Sequence, residues 1–177
     1  MAGVSPAGHT PNCGRHGRLY TRLVIKGRPP RLNQIFQSYA CPLYFVTICT
    51  IHRRKIDDLD ATHSAFRKYA SRGEADFNIA VGRYVIMPDH VHFFVRGDAE
   101  FNLARWANGL KRAISIELGA TCERPMWQPG FFDHLLRNDE SYTQKWHYVR
   151  ENPVRAGLVK VSDEWPHQGE IVVIDRA

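Results

Sequence analysis

His90 and His92 flank a single apolar residue inside a run that reads as a strand, with Tyr84-Val85-Ile86-Met87-Pro88 leading in and Phe93-Phe94-Val95 leading out. Side chains alternate across a strand, so the two imidazoles share one face, Val91 takes the other, and roughly 7 Å separates their Cα atoms. One histidine in such a place is usually a packed core or edge residue. Two on one face can be offered together to a cation or a phosphate. Further along, Tyr148 precedes Asn152 by four residues, the spacing that stacks side chains on one helical face. That pair adds a hydroxyl nucleophile and a neutral oxygen ligand.

A phosphodiester is a demanding electrophile because its charged oxygens repel an incoming anion. One divalent cation held by His90, His92 and Asn152 would polarise the non-bridging oxygens and offset developing charge. The Tyr148 oxygen could then displace a 3′ oxygen, leaving a phosphotyrosine ester and a free 3′ hydroxyl. Simpler readings compete at each position. Trp146, Tyr142 and Val149 share the helix, where an aromatic residue usually packs, and Asn152 could cap it before Pro153. Tyr142, nearly two turns earlier, rivals Tyr148 as nucleophile; the spacing to Asn152 favours Tyr148.

The elements that must carry these residues are legible to different degrees. Pro42 to Thr50 is dense in aromatic and β-branched residues and predicts a strand. A helix with a weak amphipathic stripe is expected around Ala61 to Ala70, then a strand over Phe77 to Met87 and another over His90 to Val95. Between those two strands the pattern allows a tight reversal at Pro88-Asp89, one long strand bent there, or a turn near Val81-Gly82. Phe101 to Leu118 is the best helix, with Leu103, Trp106, Ala107, Leu110, Ile114 and Leu118 at three- and four-residue steps and Gly119 as its stop. A strand over Phe131 to Leu136 and a helix over Glu140 to Glu151, stopped by Asn152-Pro153, complete the order. Strands and helices in that sequence suit an α+β sandwich, helices packed on an antiparallel sheet.

The chain has 177 residues, long enough for one domain with a real core. Its net charge of +6 has an uneven origin. Arg15, Arg18, Arg22, Lys26, Arg28 and Arg31 lie in residues 1–39, which contain no acidic residue, while the remaining 18 basic residues cancel the 18 acidic ones. Residues 1–39 therefore read as a basic, extended arm, either solubilising or DNA-contacting, ahead of a domain over 40–168 and a short tail or edge strand over 169–177. Four scattered cysteines and no apolar leader fit a reducing, cytoplasmic setting, and no run approaches the ~20 apolar residues of a membrane span. Nucleic-acid contacts are expected from Lys111, Arg112, Lys145, Arg150, Arg155 and Lys160, with Trp106 in the core and Trp127 or Phe131 stacking on bases.

Five blocks, in order over about residues 41–160, resemble one family: Tyr44 to Thr50, Tyr84 to His92, Trp106 to Arg112, Trp127 to His134, and Tyr148-Val149-Arg150-Glu151-Asn152-Pro153-Val154-Arg155-Ala156-Gly157-Leu158-Val159. The last block is highly specific. The chain resembles the REP-associated tyrosine transposases, a branch of the single-strand transposases built on the HUH nuclease domain. The resemblance implies a ferredoxin-like α+β sheet with the histidine pair on a central strand. It implies Mg²⁺ or Mn²⁺ held by His90, His92 and Asn152, with Tyr148 as nucleophile. The implied activity is cleavage and rejoining of single-stranded DNA at palindromic REP hairpins flanked by a short guide sequence, by a branch more often monomeric than dimeric. Two other readings keep the residues but change the activity: a non-catalytic hairpin-binding module using the exposed sheet, and a water-using metal phosphodiesterase in which Tyr148 only packs.

Overall fold

The computed structural model describes residues 42–98, 100–136 and 139–174, so the basic arm expected over 1–39 lies outside the described residues. The elements are β1 (Leu43–Cys49), α1 (Leu59–Phe77), β2 (Ile79–Met87), β3 (His90–Gly97), α2 (Leu103–Leu118), β4 (Phe132–Leu136), α3 (Asp139–Arg150), α4 (Asn152–Arg155) and β5 (Gln168–Glu170). Among the described residues all ladders are antiparallel and the sheet runs β4-β1-β3-β2-β5. The first six elements follow the β-α-β-β-α-β order of the ferredoxin-like motif, as expected. β3 is the middle strand of five.

Alternation along the strands divides the sheet cleanly. Tyr44, Val46, Ile48, Tyr84, Ile86, Val91, Phe93 and Val95 point to one side and form the main core with Phe66 of α1 and Trp106, Leu110 and Ile114 of α2. Burial of a side chain the size of Phe93, which is fully enclosed, stabilises by about 2–3 kcal/mol. Asp58 caps α1 by accepting from the Ala61 amide at 2.8 Å, and Asn102 caps α2 by accepting from Arg105 at 3.0 Å. The two helices close up at Gly109, where a Cβ would meet the Tyr69 hydroxyl at 2.0 Å. The opposite side of the sheet receives α3. Tyr142 and Trp146 pack against Leu43, Phe94 and Phe45, and Val149 packs with Val85, Met87 and Trp165.

The reversal after β2 is a two-residue turn at Pro88-Asp89, with Met87 paired to His90. The Val81-Gly82 signal has another outcome: the register shifts between Val81 and Tyr84, so the glycine marks a bulge rather than a turn. α1 is longer than its weak stripe suggests, because packing on α2 extends it past Ala70 to Phe77. The helix stop at Asn152-Pro153 is also refined. Glu151 keeps right-handed helical angles and Asn152 starts a fresh turn with Pro153 at its head, so α4 continues almost directly from α3. The tail contributes β5 as an edge strand on β2. Cys49 and Cys122 are free thiols, and among the described residues no helix is long and apolar enough to cross a membrane.

Candidate active site

His90 and His92 project from β3 on the face away from the main core, with ring centroids 4.6 Å apart and planes near perpendicular. The strand register decides their neighbours. Thr47 on β1 lies opposite His92 and its Oγ1 is 2.8 Å from His92 Nδ1, while Phe45 stacks on the His92 ring at 5.4 Å. His90 Nδ1 lies 2.6 Å from Asp89 Oδ1, and the other carboxylate oxygen receives Arg53 Nε at 2.7 Å. Arg53 reaches Asp89 from a tight turn in which His52 and Arg53 both hold left-handed angles, φ 51° and 57°. For non-glycine residues such angles cost about 1–3 kcal/mol each. With the Nδ1 atoms engaged by Asp89 and Thr47, each ring keeps Nε2 for a ligand.

An open cleft of about 550 Å³ gathers Thr47, Arg53, His90, His92, Phe132, Tyr148, Asn152 and Arg155. Both histidines are kept neutral. Burial lowers the His90 pKa against the opposing hydrogen bond and charge of Asp89. Burial, helped by repulsion from Arg53, Arg155, Lys145 and a protonated His90, pushes His92 down to about 3. The donor set therefore suits a divalent cation, since neutral imidazole is the ligating form. Among the described residues no three His, Cys, Asp or Glu side chains converge, so a cation here depends on two imidazoles and an amide oxygen. Arg155 occupies that oxygen in this structure: its guanidinium donates to Asn152 Oδ1 and, at 2.6 Å, to the Tyr148 carbonyl, while lying 4.2 Å above the Tyr148 ring.

Tyr148 is 64% exposed, whereas its rival Tyr142 sits with its hydroxyl buried and its ring 4.6 Å from Phe94. The basic residues expected to form one DNA-facing strip divide. Lys145 and Arg155 line grooves beside Tyr148, and Arg150 is tied to Asp163 at 2.6 Å and to Ser162. Lys111 is buried and its Nζ donates to the carbonyls of Gln128, at 2.8 Å, and Gly130, which makes it a support for the 126–131 loop rather than a phosphate contact. Arg112 is exposed on α2, in the layer behind the sheet. Trp127 anchors its indole N–H to the Lys111 carbonyl and Ser115, and Phe131 is buried in the core. Of that Phe131-Phe132 pair, Phe132 is the exposed ring. Strand alternation carries that information, but the Phe131-Phe132 pair alone does not say which member faces out. The Arg53–Asp89–His90 chain also escaped the sequence reading, because Arg53 is distant in the chain and reaches the site only through its left-handed turn.

Two expected results follow from this geometry. His92 stays neutral when folded and takes a proton when unfolded as pH falls below about 6.5, so its contribution to stability is complete above that pH and is lost progressively as pH falls towards 3. At pH 5 the loss is on the order of 2 kcal/mol. Urea unfolding at pH 7 and pH 5 should show that loss in the parent chain and a clear reduction of it in His92→Gln; equal pH sensitivity of the two would reject the assignment. Asp89→Asn removes the charge that fixes the His90 ring and should weaken Mn²⁺ binding by roughly 10- to 100-fold. Calorimetric titration with Mn²⁺ checks this, and an unchanged affinity would count against it.

The model of the family described as Transposase IS200 like matches residues 38–152, most of the chain. A REP-associated tyrosine transposase of Escherichia coli (strain K12) is 27% identical over 126 residues, covering 70% of this chain and 73% of the relative. A solved structure of a REP-associated tyrosine transposase bound to a REP hairpin shares the fold with a TM-score of 0.62, at 23% identity, over 72% of this chain and 75% of that one. Fold, family model and named relatives converge, and the chain belongs to the IS200-like transposase family, whose members are DNA-cleaving and strand-transferring enzymes.

Proposed function

We propose that this transposase cleaves and rejoins single-stranded DNA at REP-type hairpins through a 5′-phosphotyrosine intermediate. The observation that carries the reading is the convergence of His90, His92, Tyr148 and Asn152 on one open cleft. A Mg²⁺ or Mn²⁺ ion held by His90, His92 and Asn152 would supply Lewis-acid polarisation of the scissile phosphate. The remaining work falls to the chain itself. Asp89 and Thr47 hold the imidazoles in orientation through Nδ1. The Tyr148 oxygen forms its bond to phosphorus as the bond to the 3′ oxygen breaks; the tyrosyl proton is given up and the departing oxygen takes one, so charge and proton count balance. One phosphodiester is exchanged for another, which conserves the bond for rejoining. Arg155, already over the Tyr148 ring, is placed to meet the negative charge of the incoming phosphate once the amide oxygen of Asn152 turns to its ligand.

The test is incubation with a labelled hairpin oligonucleotide and Mg²⁺ or Mn²⁺, followed by proteolysis and peptide mass mapping. A DNA adduct on Tyr148 supports the reading, and an adduct on Tyr142 reassigns the nucleophile. Cleavage without any protein–DNA ester points to a water-using phosphodiesterase. Binding without cleavage points to a hairpin-binding module.

A further inference from the structure

Among the described residues, two Phe, Tyr or Trp side chains are left exposed: Tyr148 and Phe132, the latter at 67%. They line the same cleft. Phe132 stands opposite Thr47 in the β1–β4 register, and Thr47 is the residue that holds His92, so the exposed ring lies across β1 from the imidazole pair. Leaving a phenyl ring in water forgoes the free energy of its burial, and its neighbour Phe131 already fills the core position. On the other side of Tyr148 a second groove opens between β4 and α3, lined by His134, Leu136, Gln144 and Lys145. Lys145 lies with Nζ 5.6 Å from the Phe45 ring. Among the described residues lining the two openings none is acidic, while Arg53, Lys145 and Arg155 are basic.

An open aromatic face beside a basic groove matches an unpaired nucleotide. A base in a duplex has both faces covered by its neighbours, whereas an unpaired base can lay one on a phenyl ring while its phosphates meet lysine. We propose that Phe132 is the stacking platform for the nucleotide next to the scissile phosphate, and that the single strand continues past Tyr148 along the β4–α3 groove over Lys145. The proposal rests on the single-strand cleavage reading and adds to it the residue that seats the reacting nucleotide. Stacking reads the face of a base rather than its edge, so Phe132 would contribute affinity and alignment with little sequence preference.

The experiment measures binding by fluorescence anisotropy, with EDTA present, to a hairpin oligonucleotide carrying a single-stranded flank. The protein variants are the parent, Phe132→Ala and Phe132→Trp, each tested against flanks bearing one abasic site at successive positions. Phe132→Ala should weaken binding to the intact flank by roughly tenfold and Phe132→Trp by no more than about twofold. At one flank position the abasic site should weaken the parent by a comparable factor and leave Phe132→Ala unaffected. Losses that multiply at every position would overturn the proposal. So would a Phe132→Ala variant that changes sedimentation and not DNA binding, the outcome expected if a second copy of the chain covers the ring. A parent that cleaves and forms its adduct but shows no coupling sinks this proposal alone; a parent that binds no single-stranded DNA sinks the cleavage reading with it.

Discussion

Tyr148→Phe should reduce cleavage of a hairpin substrate by on the order of 10³ or more and abolish the covalent adduct. The change removes one oxygen and little else. The ring is exposed, so stability should stay within about 0.5 kcal/mol of the parent. The guanidinium of Arg155, 4.2 Å above the ring, retains an aromatic face to rest on, and its bonds to Asn152 and to the main chain at 148 do not involve the hydroxyl. Hairpin affinity should therefore survive. Tyr142→Phe is the matched control: its hydroxyl is buried at the other end of α3, and the covalent step should persist. Denaturing gels and mass mapping measure both. Full cleavage by the Tyr148 variant would overturn the assignment of the nucleophile.

His90→Ala should lower Mg²⁺-dependent cleavage by on the order of 100-fold or more, with part of the activity recovered at high Mn²⁺. Imidazole is a poor ligand for Mg²⁺ and a better one for Mn²⁺, so loss of one ring falls harder on the former. Asn152 and His92 remain, and His92 keeps Thr47 and Phe45 as supports. Asp89 keeps its ion pair with Arg53 and so is not stranded. Binding of the hairpin should be much less affected than cleavage, because one imidazole is a small part of a basic cleft. Parent-like rates for His90→Ala in Mg²⁺ would show that the imidazole pair does not hold the catalytic ion.

What the residues revealed beforehand tracks the range over which each signal acts. β1, β3 and α2 were readable because aromatic and β-branched runs, or a regular three- and four-residue stripe, report local periodicity. The same periodicity placed His90 and His92 on one face, and the spacing of Tyr148 to Asn152 brought both into one cleft even though Asn152 opens a fresh helical turn. Signals that depend on partners far along the chain were lost. Lys111 looked like a surface cation on a helix, yet the carbonyls of Gln128 and Gly130 draw it inward. Phe131, expected to stack on bases, is buried and Phe132 is the exposed ring, because the phase of β4 is set by pairing with β1, which no local pattern reports. Arg53 joins the site through two left-handed residues that no propensity favours.

The two-residue turn at Pro88-Asp89 also ties folding fidelity to chemical competence. A slip of one residue in the β2–β3 pairing would turn every side chain of β3 to the opposite face. Val91 and Phe93 would then face the cleft, and both imidazoles would be driven into the layer now filled by α1 and α2. No partial error yields one histidine in place and the other astray. A misregistered chain is thus silent rather than indiscriminate, and for a member of a DNA-cleaving transposase family, a failure mode without stray breaks is a safeguard written into the geometry of a hairpin.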